Sequence, residues 1–290
     1  MLGVIVLWSI VPVLIKVLLS FFEPFSIAFI RLSQGWVLVL AVFLVRGQRL
    51  RDIQWNRWHL LGGIGLSLNF LLYALSLSYT TVSTGVLIVQ FQYVTLAVLA
   101  VVVLQERLGA RKIAGMAIVL IGIGLVVSVR VEVSDLLAPR YALGNILMVF
   151  SGLGFGIYGL ANKALADNTD TPTILLPMLT IAAAISGGLA ATQFEARAEP
   201  TLASLIAAAA LGLIGTGGSF ILISEGMKRL SAALVGTITA LTPIGQIMLA
   251  HLVLDEPLTW ILAMGGGLIL VGVLSMIYAE NAQVREKVLR

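Results

Sequence analysis

The sequence predicts an all-α integral membrane protein of ten transmembrane helices, arranged as two inverted five-helix repeats. Three observations lead there: too little charge for a soluble surface, ten apolar stretches of spanning length, and a turn motif that recurs 150 positions later.

Hydrophobic residues make up 59% of the 290-residue chain and charged residues only 11%, with a mean hydropathy of +1.05. A soluble domain carries about 25% charged residues, so the medium around most of this chain must be lipid. The formal net charge is +4 and the pI about 9.6, yet the basic residues recur at helix ends instead of forming one patch. That distribution argues against nucleic acid as a partner. The absence of cysteine removes disulfides, thiolate metal sites and Cys nucleophiles. No basic leader or Ala-x-Ala site precedes the first apolar stretch, so a cleaved signal peptide is not expected.

A helix crossing the roughly 30 Å hydrocarbon core needs about 20 mostly apolar residues. In chain order such stretches run over 2–19, 24–45, 58–77, 81–104 and 110–129, then 143–165, 171–192, 202–226, 231–254 and 260–279. A barrel strand would alternate in polarity over ~10 residues, whereas the run 94–104 is apolar on every face. Lysine and arginine in short loops stay cytoplasmic. With a cytoplasmic N-terminus, thirteen of these residues fall inside and three outside (Arg130, Arg140 and Arg197), so both termini are expected in the cytoplasm. Trp55, Trp58 and Trp260 fall at the expected interfaces, where amphipathic indole rings settle.

The internal repeat is centred on the end of the fourth stretch. Leu104-Gln-Glu106-Arg-Leu108, followed by Gly115 and Gly122, returns as Leu254-Asp-Glu256-Pro-Leu258, followed by Gly265 and Gly272. Over 81–128 against 231–278, ten of 48 positions are identical. Lys16 and Pro24 likewise pair with Lys163 and Pro172. Five spans per half is an odd number, so the second half enters from the opposite side. Inverted repeats of this kind recur among secondary transporters, whose halves can exchange conformations around a midplane site. The expected units are 1–130, 141–280 and a cytoplasmic tail, 281–290.

Several features together resemble one known family. They are Trp8-Ser9 and Lys16 on the first helix, Pro24 and Arg31 on the second, and the segment from Tyr73 to Ser83. Both Leu-x-Glu-x-Leu turns and Pro243 on the ninth helix complete the set. The chain resembles the EamA-type branch of the drug/metabolite transporter superfamily, the ten-helix permeases, over nearly its whole length. The resemblance implies export or exchange of a small metabolite, such as an amino acid or related compound, across the cytoplasmic (inner) membrane. Tyr93 stands where repeat alignment with Pro243 would place a proline, which predicts a first half less kinked than the second.

Polar groups at membrane depth are costly and tend to face protein or a wet cavity. Thr239, Thr242 and Gln246 share one face of the ninth helix by their spacing. Gln92, beside Tyr93, is the repeat partner of Thr242. Asn69, Tyr73 and Ser76 share a face of the third helix, and Phe155, Tyr158 and Asn162 lie close together on the sixth. Trp8 pairs with Phe155 by repeat. These residues predict a substrate pocket with aromatic walls and a few amide and hydroxyl groups. The plainer reading is interhelical hydrogen bonding, worth about 0.6 kcal/mol on average.

Lys16 and Arg31 are candidates for binding an anion, against snorkelling to headgroups or pairing with Glu23. Glu225 is either a proton-coupling carboxylate or an ion-pair partner of Lys228 and Arg229, and the helical spacing favours the pair. Glu106 and Glu256 are expected to be structural caps, each accepting orphan backbone N–H groups of the helix that follows. Gly152 and Gly156 form a small-xxx-small step for close packing. The fifth and tenth helices carry few polar side chains and are expected to support the fold or form a dimer interface. The chain would then work as a monomer or homodimer.

No P-loop, metal cluster or Rossmann fingerprint is present, so no cofactor is implied and ATP-driven transport by this chain alone is not expected. Ser219 and His251 lie at different depths, which argues against a catalytic dyad and against an enzyme. The class-different alternative is a membrane receptor or assembly subunit without transport.

Overall fold

The structure, a computed structural model, describes residues 1–80, 85, 88–89, 91–106, 109–130, 139–166, 169–192, 198–245 and 260–289. Among them every regular element is helical. The helices are α1 (Leu2–Leu18), α2 (Pro24–Val45), α3 (Arg57–Tyr79), α4 (Phe91–Leu104) and α5 (Ala110–Arg130). There follow α6 (Pro139–Ala166), α7 (Thr171–Thr192), α8 (Leu202–Met227), α9 (Ala232–Thr239) and α10 (Trp260–Leu289). Five of them, α2, α3, α6, α7 and α8, are long and apolar enough to cross a membrane, and four shorter apolar helices accompany them. Large apolar side chains lie on the outside, among them Val45, Val102, Leu202 and Leu274. Polar side chains such as Ser76, Ser151, Asn162 and Ser224 lie inside. That is the arrangement lipid demands.

Helix starts follow local chemistry. Pro24 opens α2 at a position where its missing N–H costs nothing. Asn56 Oδ1 accepts from the N–H groups of Trp58 and His59 at 2.9 and 3.3 Å, and His59 Nδ1 accepts in return from Asn56 N–H at 3.3 Å. Thr201 and Ser231 cap α8 and α9 in the same way.

Three helices depart from the expected regular course. The middle of α8, Ala210–Gly218, is wound as a π-helix, where Thr216 Oγ1 and Ser219 Oγ donate to carbonyls five residues back, at 3.1 and 3.2 Å. Glycines 212, 215, 217 and 218 leave room for this wider turn. α9 ends at a turn at Ala240–Leu241, just before Pro243. Pro243 has no N–H for the Thr239 carbonyl, and Thr242 Oγ1 takes that acceptor at 2.5 Å. α4 is also interrupted: Val89 lies in a turn, Gln92 N–H donates to the Val89 carbonyl three residues back at 2.9 Å, and the helix resumes at Phe91. Tyr93 thus stands beside a 3₁₀-type backbone bond, where the second half has Pro243. A tight 3₁₀-type turn interrupts the helix there without a proline.

The tail expected at 281–290 continues α10 as helix to Leu289. α3 packs along α6, α5 along α10, α2 along α7, and α4 against α6 and α9. Contact between α3 and α6 depends on glycine: a Cβ on Gly65 would stand 2.6 Å from the Gly154 carbonyl oxygen. On the other side of α6, Gly152 and Gly156 lie against Gln92 and Thr95 of α4. α5 and α10 support each other in the same manner. A Cβ on Gly122 would stand 2.7 Å from Gly265 O, and one on Gly115 would stand 3.0 Å from Gly272 O. Exchanging Gly115 with Gly265 and Gly122 with Gly272 turns one contact into the other.

Candidate functional site

Between the interrupted helices lies a cavity that is partly open to the outside. Trp8, Val11 and Pro12 of α1 line it, with Arg31 of α2 and Asn69, Phe70 and Tyr73 of α3. Val89, Gln92 and Tyr93 enter from the α4 break, Phe155 from α6, Phe220 from α8, and Thr242 from just past α9. Five of these thirteen residues, Val89, Gln92, Tyr93, Phe220 and Thr242, come from the helices that depart from regularity.

One wall is aromatic. Trp8 meets Phe155 edge to face at 5.6 Å between ring centroids, and Phe155 meets Tyr93 at 6.3 Å and Tyr158 at 5.6 Å. Phe220 closes the set against Tyr158 at 5.0 Å and Phe70 at 5.8 Å. The opposite chemistry is polar. Thr239, Gln92 and Thr242 are hydrogen-bonding partners of the Tyr93 side chain, and Tyr73 lies beside Arg31 and Tyr93.

Arg31 is only 7% exposed. Its Nε donates to Thr216 Oγ1 at 3.4 Å, and its guanidinium carbon lies 4.4 Å from the centre of the Phe70 ring. An arginine within a membrane helix costs up to about 2.5–3.5 kcal/mol, the value at the helix centre on insertion scales, and a desolvated cation–π contact returns about 2. Neither snorkelling nor pairing with Glu23 describes Arg31, because α2 turns it inward against the π-segment of α8.

Of the expected pocket residues, Trp8, Arg31, Asn69, Tyr73, Gln92, Tyr93, Phe155 and Thr242 line one cavity. Lys16 does not. It is exposed, one position round α1 from buried Ile15, and so does not pair with Arg31. Tyr158 and Asn162 are fully buried behind the aromatic wall, where Asn162 Nδ2 donates to Tyr158 OH at 2.7 Å and Ser224 Oγ at 2.6 Å. Thr239 back-bonds to Val235 and Gly236 carbonyls. Ser76 donates to the Gly144 carbonyl at 2.8 Å, a helix–helix bond rather than part of the lining. Asn69 does both, lining the cavity while its Nδ2 donates to Ser151 O and Oγ, each at 3.0 Å. Gln246, His251 and Glu256 lie outside the described residues.

Glu106 caps a helix far along the chain. Its Oε1 accepts from the N–H of Ala232, at the start of α9, at 3.0 Å. The short turn at Gln105, which has a left-handed φ of 54°, directs the carboxylate across to that helix. Glu225 forms the ion pair expected of it, 3.5 Å from Lys228 Nζ, and accepts from Thr171 Oγ1 at 2.6 Å. Gln48 extends this group by donating to Asp170, which lies 4.0 Å from Lys228. Thr216, Phe70 and Phe220 were not expected at the site. The glycine run around Thr216 is the one signal that marked its helix as irregular.

An apolar-surfaced helical protein with a polar and aromatic cavity inside it is, as a class, a multi-pass membrane protein. Likeness to known proteins makes the class specific. The chain matches the EamA-like transporter family over residues 1–128 and 142–278, and it belongs to that family. It is 28% identical to an uncharacterized transporter of Haemophilus influenzae over 249 residues, 84% of this chain and 80% of that one. It is also 28% identical to the uncharacterized inner membrane transporter YhbE of Escherichia coli over 252 residues, 84% of this chain and 77% of that one. An uncharacterized transporter of Archaeoglobus fulgidus is 24% identical over 277 residues, 92% of this chain and 93% of that one. A solved crystal structure superposes with a TM-score of 0.81 at 21% identity, covering 97% of this chain and 96% of that one. It shares the fold.

Proposed function

We propose that this chain is a secondary transporter that carries a small organic solute across the cytoplasmic membrane by alternating access. It would act in export or exchange, with the described cavity as the solute site. Ten spans in two inverted five-helix halves, 1–130 and 141–280, form the moving parts, and both termini face the cytoplasm. The observation that carries this reading is the pairing of residues at the cavity. Trp8 with Phe155 and Gln92 with Thr242 are repeat partners, and all four line it.

A site built from matched residues of two halves sits on the axis that relates them. Rocking one half against the other then opens it to alternate sides without moving it. The interruptions in α4 and α9 at Gln92 and Thr242 support this, since transporter sites form where membrane helices are broken. The exchangeable glycine contacts of α5 and α10 support the same axis. The group of Gln48, Asp170, Thr171, Glu225 and Lys228 joins the two halves at one end and would part when that end opens.

Purified protein in liposomes, screened with labelled organic acids, amino acids, sugars and nucleotide-like metabolites, tests the reading. Saturable, protein-dependent flux of at least one class is expected. No saturable flux of any class would leave a receptor or assembly subunit as the better reading.

A further inference from the structure

The cavity that the proposed function assigns to solute has one charged group, and among the described residues that group lacks a counterion. None of the cavity-lining residues is an aspartate or glutamate. Among the described residues, Thr216 is the one hydrogen-bond partner of Arg31, and it engages Nε alone. Phe70 covers a face of the guanidinium without satisfying its terminal N–H groups. Glu106 is committed to the start of α9 and Glu225 to Thr171 and Lys228, and Glu23, the N-cap of α2, is not among the cavity-lining residues.

We infer that the cavity takes a small organic monocarboxylate with an apolar or aromatic body, and that Arg31 binds its carboxylate. The terminal nitrogens of a guanidinium present a planar fork that matches a carboxylate with two parallel bonds. One charge is matched and no more, because among the described residues Arg31 is the one charged side chain lining the cavity. The ring wall of Trp8, Phe155 and Phe220 suits the apolar body. Gln92 and Thr242 can serve a neutral hydroxyl or carbonyl substituent. An ammonium group would find no acid in the lining, so the preferred solute is the deaminated acid rather than the zwitterion. This inference rests on the reading of the cavity as the solute site.

Its test is binding to the full chain in detergent, with four probes that share a phenylpropyl body: hydrocinnamate, phenylalanine, phenylpropylamine and hydrocinnamyl alcohol. Quenching of tryptophan fluorescence and thermal stabilisation are the readouts. Hydrocinnamate is expected to bind about tenfold or more tightly than the other three, the scale of one well-made charged hydrogen-bond set. Arg31→Gln should remove that preference, with its melting curve and elution profile in detergent reporting that the variant is folded. Arg31→Lys should keep a reduced preference for the anion.

Equal binding of the acid and the alcohol, tighter binding of the amine or of phenylalanine, or absence of saturable hydrocinnamate binding would overturn the inference. So would an anion preference that survives Arg31→Gln. Binding in detergent does not depend on flux. Arg31-dependent anion binding without any flux would therefore keep this site and sink the transporter reading. Flux of other solutes without anion binding would do the reverse.

Discussion

The Trp8 indole stands edge to face on the Phe155 ring, 5.6 Å between centroids and 74° between planes. These two residues stand 147 positions apart, at matching places of the proposed repeat. Under that proposal their contact puts the aromatic wall where the two halves meet. Trp8→Ala and Phe155→Ala should couple in a double-mutant cycle by about 0.5–1.5 kcal/mol, the range of aromatic pairs beyond simple burial. Unfolding in detergent mixtures measures it. Additive effects of the two substitutions would mean the rings do not act as a pair.

Glu106 ties the end of α4 to the start of α9 through the Ala232 N–H. Glu106→Ala removes the acceptor and should cost about 1 kcal/mol, as loss of a helix cap does. Glu106→Gln keeps a carbonyl acceptor and should cost less. Melting temperatures of the two variants check the order, and a harmless Glu106→Ala would refute the cross-half cap.

The α5–α10 seam admits no side chain at its glycines. Gly122→Val places its Cβ 2.7 Å from Gly265 O and should destabilise by about 1–3 kcal/mol, the usual cost of overpacking. On the same helix, a Cβ on Gly124 would meet nothing within 4 Å. Gly124→Val is therefore the control and should melt close to the parent protein.

Lys228 is shared by Glu225 at 3.5 Å and Asp170 at 4.0 Å. Asp170 is well exposed, so Lys228→Met should change stability by less than about 1 kcal/mol, the ordinary worth of a solvated ion pair. In a transporter whose halves part at this end, the same variant should alter the rate of flux. A large loss of melting temperature with unchanged flux would make the group purely structural.

Much of this was legible in the sequence. Low charge and long apolar runs predicted a helical membrane protein, and the Leu-x-Glu-x-Leu turns pointed to the EamA-like family. Pro243 marked the α9 break because a missing N–H is visible in the sequence. The α4 break was not, since Tyr93 carries no such mark and the 3₁₀-type turn arises from how Val89 and Gln92 close on each other. The inward turn of Arg31 was equally hidden, because its partner Thr216 lies 185 residues on. Glu106 read as a cap for its own helix, yet its acceptor role is used 126 residues away. Periodicity can place a residue on a face, but which neighbour that face meets is decided by packing.

The chain contains no cysteine, so a single Thr242→Cys variant can report on the cavity without background labelling. The decisive measurement is its reaction with a membrane-impermeant maleimide, applied separately to each side of oriented liposomes. Alternating access requires labelling from both sides, with conditions that speed one side slowing the other. Labelling confined to one side under every condition, or to neither, would contradict a solute site that is exposed alternately across the membrane.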